Sequence, residues 1–298
     1  MKKLKIILIS IILILAGCGT NIGTTSFATN YKTGTGGMEA RFLQGSPPGI
    51  VFEDKPFELS IELKNTGGYD VVADQGIVNI ITDPASQLLE ASTQTFSAEG
   101  RSLNNPDGAT DVKTFQAKAA KIPAPSEQQD STIQAQICYP YETDLSTDIC
   151  IDTDIENKLT KKPCKLTNPS FSGQGAPVVV TNIQTELIPL GNKIIPRFTL
   201  TVANKGSGQV VQDDVVQTLC QPGAGQRFLP LIRVEEALIS DRSLNCRPTD
   251  IRLDQEDKIV CTYDQGFPLT LTPFSTLLNV KLKYGYFQTT SKKITVKK

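Results

Sequence analysis

The chain is 298 residues long and sets 30 basic against 31 acidic side chains, a formal net charge of −1, so no basic surface marks it for nucleic acid. It has 7 cysteines and neither histidine nor tryptophan. The missing histidine removes Ser-His-Asp and Cys-His catalysis, HExxH zinc sites and the usual general base near neutral pH, and so argues against an enzyme.

At the start, Lys2, Lys3 and Lys5 precede an apolar run, Ile6 to Leu15, broken only by Ser10. A basic start, a short apolar run and small residues after it make a secretory signal peptide, here residues 1–17. The run is about half of the roughly 20 residues needed to cross a bilayer, so a permanent span is not expected. Leu15-Ala16-Gly17-Cys18 resembles the lipobox of prokaryotic lipoproteins. That resemblance implies cleavage before Cys18 and acylation of its thiol, a lipid anchor in the cell membrane. The alternative is an ordinary secreted protein that discards Cys18. Residues 18–38, rich in Gly, Thr, Ser and Asn, suit a flexible tether, which favours the anchor.

With Cys18 set aside, Cys138, Cys150, Cys164, Cys220, Cys246 and Cys261 remain, an even number in an exported chain, which argues for three disulfides. No CxxC pair points to zinc or redox chemistry, and no cofactor or metal is expected. The expected pairs are Cys138–Cys150, Cys246–Cys261 and Cys164–Cys220.

Residues 57–63 (FELSIEL) alternate apolar and polar and end in Asn65-Thr66-Gly67; residues 197–203 (RFTLTVA) do the same and end in Asn204-Lys205-Gly206. Residues 131–152 align without gaps on 276–297, placing Tyr139 and Tyr141 on Tyr284 and Tyr286. Each copy reads as two strands joined by a polar turn. The chain is therefore one unit twice, with further short strands predicted at 76–82, 112–119, 229–239 and 258–263, the third being the most helix-like. Many short strands between turn-rich stretches predict an all-β protein, two β-sandwiches at 39–154 and 176–298 with a linker at 155–175. Leu59, Ile61, Leu63, Phe198, Leu200 and Val202 should face the cores.

The segment Pro56–Gly67 and its second version resemble a strand and following turn of immunoglobulin-like domains in prokaryotic surface proteins, closest in character to CARDB-type adhesion modules. The resemblance implies two immunoglobulin-like domains in tandem and adhesive or structural roles without catalytic residues.

Four carboxylates, Asp148, Asp152, Asp154 and Glu156, crowd the end of the first unit. Calcium could use such oxygens, but EF-hand spacing is absent, and a solvated acidic strand end is the better reading. Asp254, Glu256 and Asp257 and the 104–111 loop read as turn chemistry. The tyrosine pairs lie at i, i+2 on one sheet face: either an aromatic contact surface or, as their recurrence favours, internal packing such as a tyrosine corner. The sequence thus points to an extracytoplasmic lipoprotein, anchored through Cys18, that binds an envelope or cell-surface protein or glycan. The alternative is a structural spacer or subunit of an envelope assembly of secretion or pilus type. A carboxylate-dependent hydrolase would need a deep cleft with two inward carboxylates.

Overall fold

A computed structural model describes residues 31–223 and 228–298. The signal peptide, Cys18 and the first part of the tether lie outside the described residues. The first unit comprises β1 (Met38–Phe42), β2 (Ile50–Phe52), β3 (Pro56–Asn65), β4 (Val71–Thr82), β5 (Ser86–Leu88), β6 (Thr93–Ala98), β7 (Thr110–Ala119) and β8 (Gln128–Ile151). The second comprises β9 (Val178–Leu190), β10 (Lys193–Asn204), β11 (Gln209–Val211), helix α1 (Val216–Leu219), β12 (Leu231–Ile239), β13 (Arg242–Ser243), β14 (Asn245–Arg247), β15 (Asp250–Arg252), β16 (Lys258–Thr262), β17 (Phe267–Pro268) and β18 (Phe274–Lys297). The protein is all-β, as its alternating runs predict; the most helix-like run, 229–239, is strand β12.

The predicted turns inside the two aligned segments are absent. β8 and β18 are each single strands of 24 residues that pair antiparallel along their whole length, from Phe274↔Ile151 to Lys297↔Gln128. Pro140 and Gly285 occupy the same position in the two copies and pair with each other, so a pseudo-twofold axis passes between them.

This pairing exchanges strands between the units. The first half of β8 lies between β4 and the last half of β18, whose far side takes β2 in parallel. The first half of β18 lies between β12 and the last half of β8. Each unit's long strand therefore continues into the other unit's sheet, and a nine-stranded sheet runs through the molecule. Over its two ends pack a four-stranded sheet, β1-β3-β7-β5, and a five-stranded sheet built on β9, β10, β14, β16 and β17.

Leu59, Ile61, Leu63, Phe198, Leu200 and Val202 all face the interior, as their alternation predicts, and are at most 1% exposed. They join Ile133, Ile137, Leu278, Leu282 and their neighbours in one apolar cluster that spans both units.

The segment 155–175 does more than connect. Phe171 and Ile183 donate backbone N–H bonds to Thr181 O (2.9 Å) and Pro169 O (3.0 Å), so the segment runs beside β9. It covers an edge strand that would otherwise offer unpaired groups to another chain. Gln174 closes the contact, its amide both donating to Val180 O (3.0 Å) and accepting from Val180 N (3.1 Å).

Three disulfides form. Cys246–Cys261 links directly opposed residues of β14 and β16, as expected. The other two expected pairs are not the ones made: Cys138 bonds Cys220, and Cys150 bonds Cys164. Cys138–Cys150 presupposed a hairpin. On a continuous strand twelve residues put their Cα atoms roughly 40 Å apart, far beyond the reach of a disulfide. Cys150 instead pins the connecting segment to the end of β8, and Cys138 holds the α1 insertion of the second unit against a strand of the first.

Candidate binding cleft and the tyrosine cluster

The four paired tyrosines are internal, each at most 1% exposed. They surround the pseudo-twofold axis, with Tyr139–Tyr286 and Tyr139–Tyr141 ring centroids 5.7 and 5.6 Å apart. Their hydroxyls are used twice over in the same way. Tyr141 OH donates to Asn65 Oδ1 (3.0 Å) and Tyr286 OH to Asn204 Oδ1 (3.1 Å). Tyr139 OH accepts from Met38 N (3.2 Å) and Tyr284 OH from Val178 N (3.3 Å), the residues that begin the first strands of the two outer sheets.

The Asn-x-Gly motif is thereby explained. Asn65 Oδ1 also accepts from Gly67 N (3.1 Å) and Asn204 Oδ1 from Gly206 N (3.1 Å). A Cβ on Gly67 would lie 1.9 Å from Tyr141 OH, and one on Gly206 2.3 Å from Tyr286 OH. Only glycine lets the hydroxyl approach. Burial pushes the phenols of Tyr139 and Tyr284 well above their ordinary value near 10, and raises those of Tyr141 and Tyr286. The cluster is a structural clamp.

The acidic strand end supplies its own cation. Lys162 Nζ donates to Asp152 Oδ2 (2.6 Å), Asn157 Oδ1 (2.8 Å) and Asp154 O (3.0 Å). Asp154 also accepts from the backbone amides of Leu159 (3.0 Å) and Lys158 (2.9 Å); these bonds, that of Leu159 foremost, hold its carboxyl below the ordinary value. Asp148 and Glu156 stay exposed and outside this nest. Arg252 pairs with Asp254 in the turn that also holds Glu256 and Asp257 (2.7 Å). In the 104–111 loop Gly108 has φ +72° and abuts Asn65 O. Among the described residues no group of three or more His, Cys, Asp or Glu side chains is placed to hold a metal ion.

Two of the surface hollows among the described residues are the most spacious. One, about 550 Å³, follows β1; within it Arg41 pairs with Glu62 (2.6 Å), and Gln288 donates to Met38 O (2.9 Å). The other, about 630 Å³, opens on the outer face of the nine-stranded sheet, between β4 and the insertion that carries α1.

Its position follows from strand alternation. Val78 and Ile80 point into the core, so Ile77, Asn79 and Ile81 face outward; Gln136 and Cys138 do the same on β8, and Phe287, opposite Cys138, on β18. The outer face is itself covered: Ile77, Cys138, Val211, Val216, Cys220 and Phe287 form a second apolar cluster. Cys138–Cys220 fastens the insertion there, and Gln217 Nε2 donates to Gln75 O (3.0 Å). Beyond this cover lies the cleft, walled by Leu219 and Phe228 on one side and Asn79, Ile81 and Gln136 on the other, with Phe287 between.

Asn79 is the anomaly in this wall. It is 4% exposed, donates from Nδ2 to Gln136 Oε1 (3.3 Å), and its Oδ1 has no hydrogen-bond partner among the described residues. An orphaned buried amide oxygen costs about 1–3 kcal/mol, so it marks a place where a donor belongs. Asp83, the one charged residue among the described lining, already accepts from Thr132 N (2.6 Å), Ser131 Oγ (2.7 Å) and Ala85 N (3.0 Å). The described lining offers amides, hydroxyls, the Asp83 carboxylate and the Phe228–Phe287 ring pair, with centroids 6.0 Å apart. Hydrogen bonding and stacking are its chemistry.

Sequence reasoning missed the cleft because its two walls lie far apart in the chain. A single signal was present: one asparagine inside the apolar run GIVNIIT, at a position facing away from the core. No protein-family model matches the chain, and no curated protein matches it.

Proposed function

We propose that the protein is a membrane-anchored lipoprotein of the cell envelope that binds a ligand without transforming it. Three disulfides suit an oxidising, extracytoplasmic compartment, and no helix among the described residues is long and apolar enough to cross a membrane. Acylated Cys18 would supply the anchor. β1 pairs in one sheet and β2 runs parallel to β18 in the other, and the tyrosine–asparagine clamp recurs in both halves. These features support immunoglobulin-like units whose closing strands have been exchanged.

The observation that carries the binding reading is the Asn79 oxygen, without a partner among the described residues, beside a cleft whose described lining is mostly amides, hydroxyls and aromatic rings. To test it, the protein is reconstituted through its anchor and offered solubilised envelope material, alongside Phe228→Ala. A component retained by the wild type and lost by the variant supports a binding protein. Equal retention by both would place binding elsewhere, and retention by neither would remove the reading. Intact mass from native membranes tests the anchor: a chain beginning at Cys18 and carrying acyl chains is expected.

A structural spacer is the second reading, favoured by the unbroken 24-residue strands that tie both units into one sheet. At about 3.3 Å per residue these span close to 80 Å. A spacer would co-purify with fixed partners in fixed ratio, whatever becomes of Phe228.

A further inference from the structure

We infer that the far end of the second unit is a membrane-contact surface: Ile155, Leu159, Leu190 and Leu271 enter the outer edge of a lipid bilayer, with Lys161 and Lys165 at the level of its phosphates. The inference rests on the membrane-anchored reading above and says which part of the molecule that anchor sets on the membrane.

The four apolar side chains come from three segments that meet at one end: the turn after β8, the β9–β10 hairpin and the stretch leading into β18. Each is between 41% and 66% exposed. Ile155, Leu159 and Leu271 line one hollow of about 280 Å³ together with Leu269 and Pro273. Leu190 opens the hairpin turn whose Asn192 O accepts from Leu269 N (2.9 Å). Exposed leucines standing singly are ordinary, whereas a contiguous group from several segments marks a contact surface.

Polar groups behind these side chains hold them outward. Asp154 accepts from the amides of Lys158 (2.9 Å) and Leu159 (3.0 Å), and Thr153 Oγ1 donates to Leu271 O (2.6 Å). Cys150–Cys164 fastens the same segment to the end of β8. The loops are therefore braced by hydrogen bonds and a disulfide while their aliphatic groups stay in solvent. A braced surface loses little freedom on binding.

Charge permits the contact. Asp152 pairs with Lys162 (2.6 Å) and Glu156 with Lys158 (2.5 Å). Asp264, on the turn after β16, accepts from Asn245 Nδ2 (3.0 Å), and Lys193 Nζ bonds the carbonyl of the adjoining Gln265 (3.1 Å). Lys161 and Lys165 are exposed and form no ion pair among the described residues. With the acids at this end so offset, insertion of apolar groups drives the contact, and the two lysines meet lipid phosphate.

The tether allows it. Tyr31 lies beside Gly68 and Gly175, at mid-molecule. Thirteen links of chain separate it from Cys18, a reach of at most about 45 Å at roughly 3.5 Å each. Half of the roughly 80 Å span of the long strands is about 40 Å, so an anchored molecule can rest one end on the bilayer. The opposite end presents Ile50 and Phe52 on β2, next to Glu53 and Asp54, and provides the comparison.

The chain has no tryptophan, so a single introduced one reports its own surroundings. The full-length lipoprotein carrying Leu271→Trp, or Phe52→Trp at the opposite end, is reconstituted in liposomes of phosphatidylcholine and phosphatidylglycerol with brominated acyl chains. Emission of the Leu271→Trp protein should shift to the blue and lose about half its intensity or more, while that of the Phe52→Trp protein stays unchanged. Adding Leu159→Asp and Leu190→Asp, both at exposed positions, should abolish most of the quenching at unchanged circular dichroism.

Quenching at Phe52→Trp instead, or at neither site, in a chain whose intact mass shows its acyl groups, overturns the inference and leaves the anchored reading in place. So does a dimer in lipid-free solution that Leu159→Asp disperses while Leu271→Trp goes unquenched, since the end would then join two copies. A chain from native membranes without acyl groups removes the anchored reading. The inference then survives only if that chain still brings the Leu271→Trp indole into contact with the brominated vesicles, and otherwise falls with it.

Discussion

Tyr141 and Tyr286 show how much a single hydroxyl is asked to do. Each joins the middle of the shared sheet to an Asn-x-Gly turn of an outer sheet. Tyr141→Phe and Tyr286→Phe should each cost about 1–2 kcal/mol in denaturant unfolding, because Asn65 or Asn204 then loses one partner. Gly67→Ala should cost more, about 3 kcal/mol or above, since its methyl must displace the Tyr141 hydroxyl. The reverse order would mean that the turn yields easily and the clamp is weak. Burial raises the phenols of Tyr139, Tyr141 and Tyr284, so from about pH 10 upward the unfolded chain loses protons that the folded chain keeps. Stability should be unaffected by these groups below that point and fall above it, by about 1.4 kcal/mol per pH unit for each tyrosine. Alkaline melts of Tyr284→Phe should show a shallower slope; an unchanged slope would mean that Tyr284 ionises freely. The tyrosine repeat was legible because it recurs in register with an alternating strand. Asn79 was not, because one polar residue among apolar ones is read as noise until both of its neighbouring strands are known.

At the scale of elements, the sequence spoke clearly about strands and misleadingly about one turn. The stretch Glu142-Thr143-Asp144-Leu145-Ser146-Thr147 has turn-like composition, and a hairpin was the natural expectation. Yet alternation continues through it: Tyr141, Thr143, Leu145 and Ile149 are buried, while Glu142 and Asp144 are half-exposed and Ser146 and Asp148 exposed. A turn would break that period, so the unbroken alternation was the better signal. The misread turn carried the disulfide error with it, since Cys138–Cys150 depended on it. Cysteine pairing between distant segments is set by how sheets stack, which local pattern does not record. Partial reduction with peptide mapping should recover Cys138–Cys220, Cys150–Cys164 and Cys246–Cys261. Cys138–Cys220, which closes a separation of 82 residues, should contribute on the order of 4 kcal/mol by the chain-entropy argument. Cys220→Ser should therefore lower the melting temperature, and it should also raise hydrogen exchange in 216–223 as the insertion lifts from β8. Loss of stability without that local change would separate the bond from the cleft it is argued to hold.

For the whole molecule, the duplication was legible but its consequence was not: nothing in two similar segments says whether each folds back on itself or reaches across. The structure has them reach across. This is the topology of a domain-swapped dimer written into one chain, with Pro140 and Gly285 at the crossing where hinge loops would be. The second unit alone, residues 176–298 with Cys220→Ser, would lack the strand that β8 supplies beside β18. Its own β18 is self-complementary about Gly285: the pairing that now sets Tyr284 against Tyr141 and Tyr286 against Tyr139 would set Tyr284 against Tyr286 of a second copy. The fragment should therefore run as a dimer by light scattering, with its β18 amides protected over the full strand, and dissociate only as it unfolds. A stable folded monomer would show that the segment can close as a hairpin. The exchange would then be a choice made by the joined chain rather than a requirement of each unit. Cleavage of the intact protein between Cys150 and Cys164 makes the complementary measurement, because the halves stay linked by both Cys138–Cys220 and Cys150–Cys164. After reduction they should still co-migrate, held by 24 paired residues and one continuous core. Separation under those conditions would show that the exchanged strands are held by their covalent ties and not by their pairing.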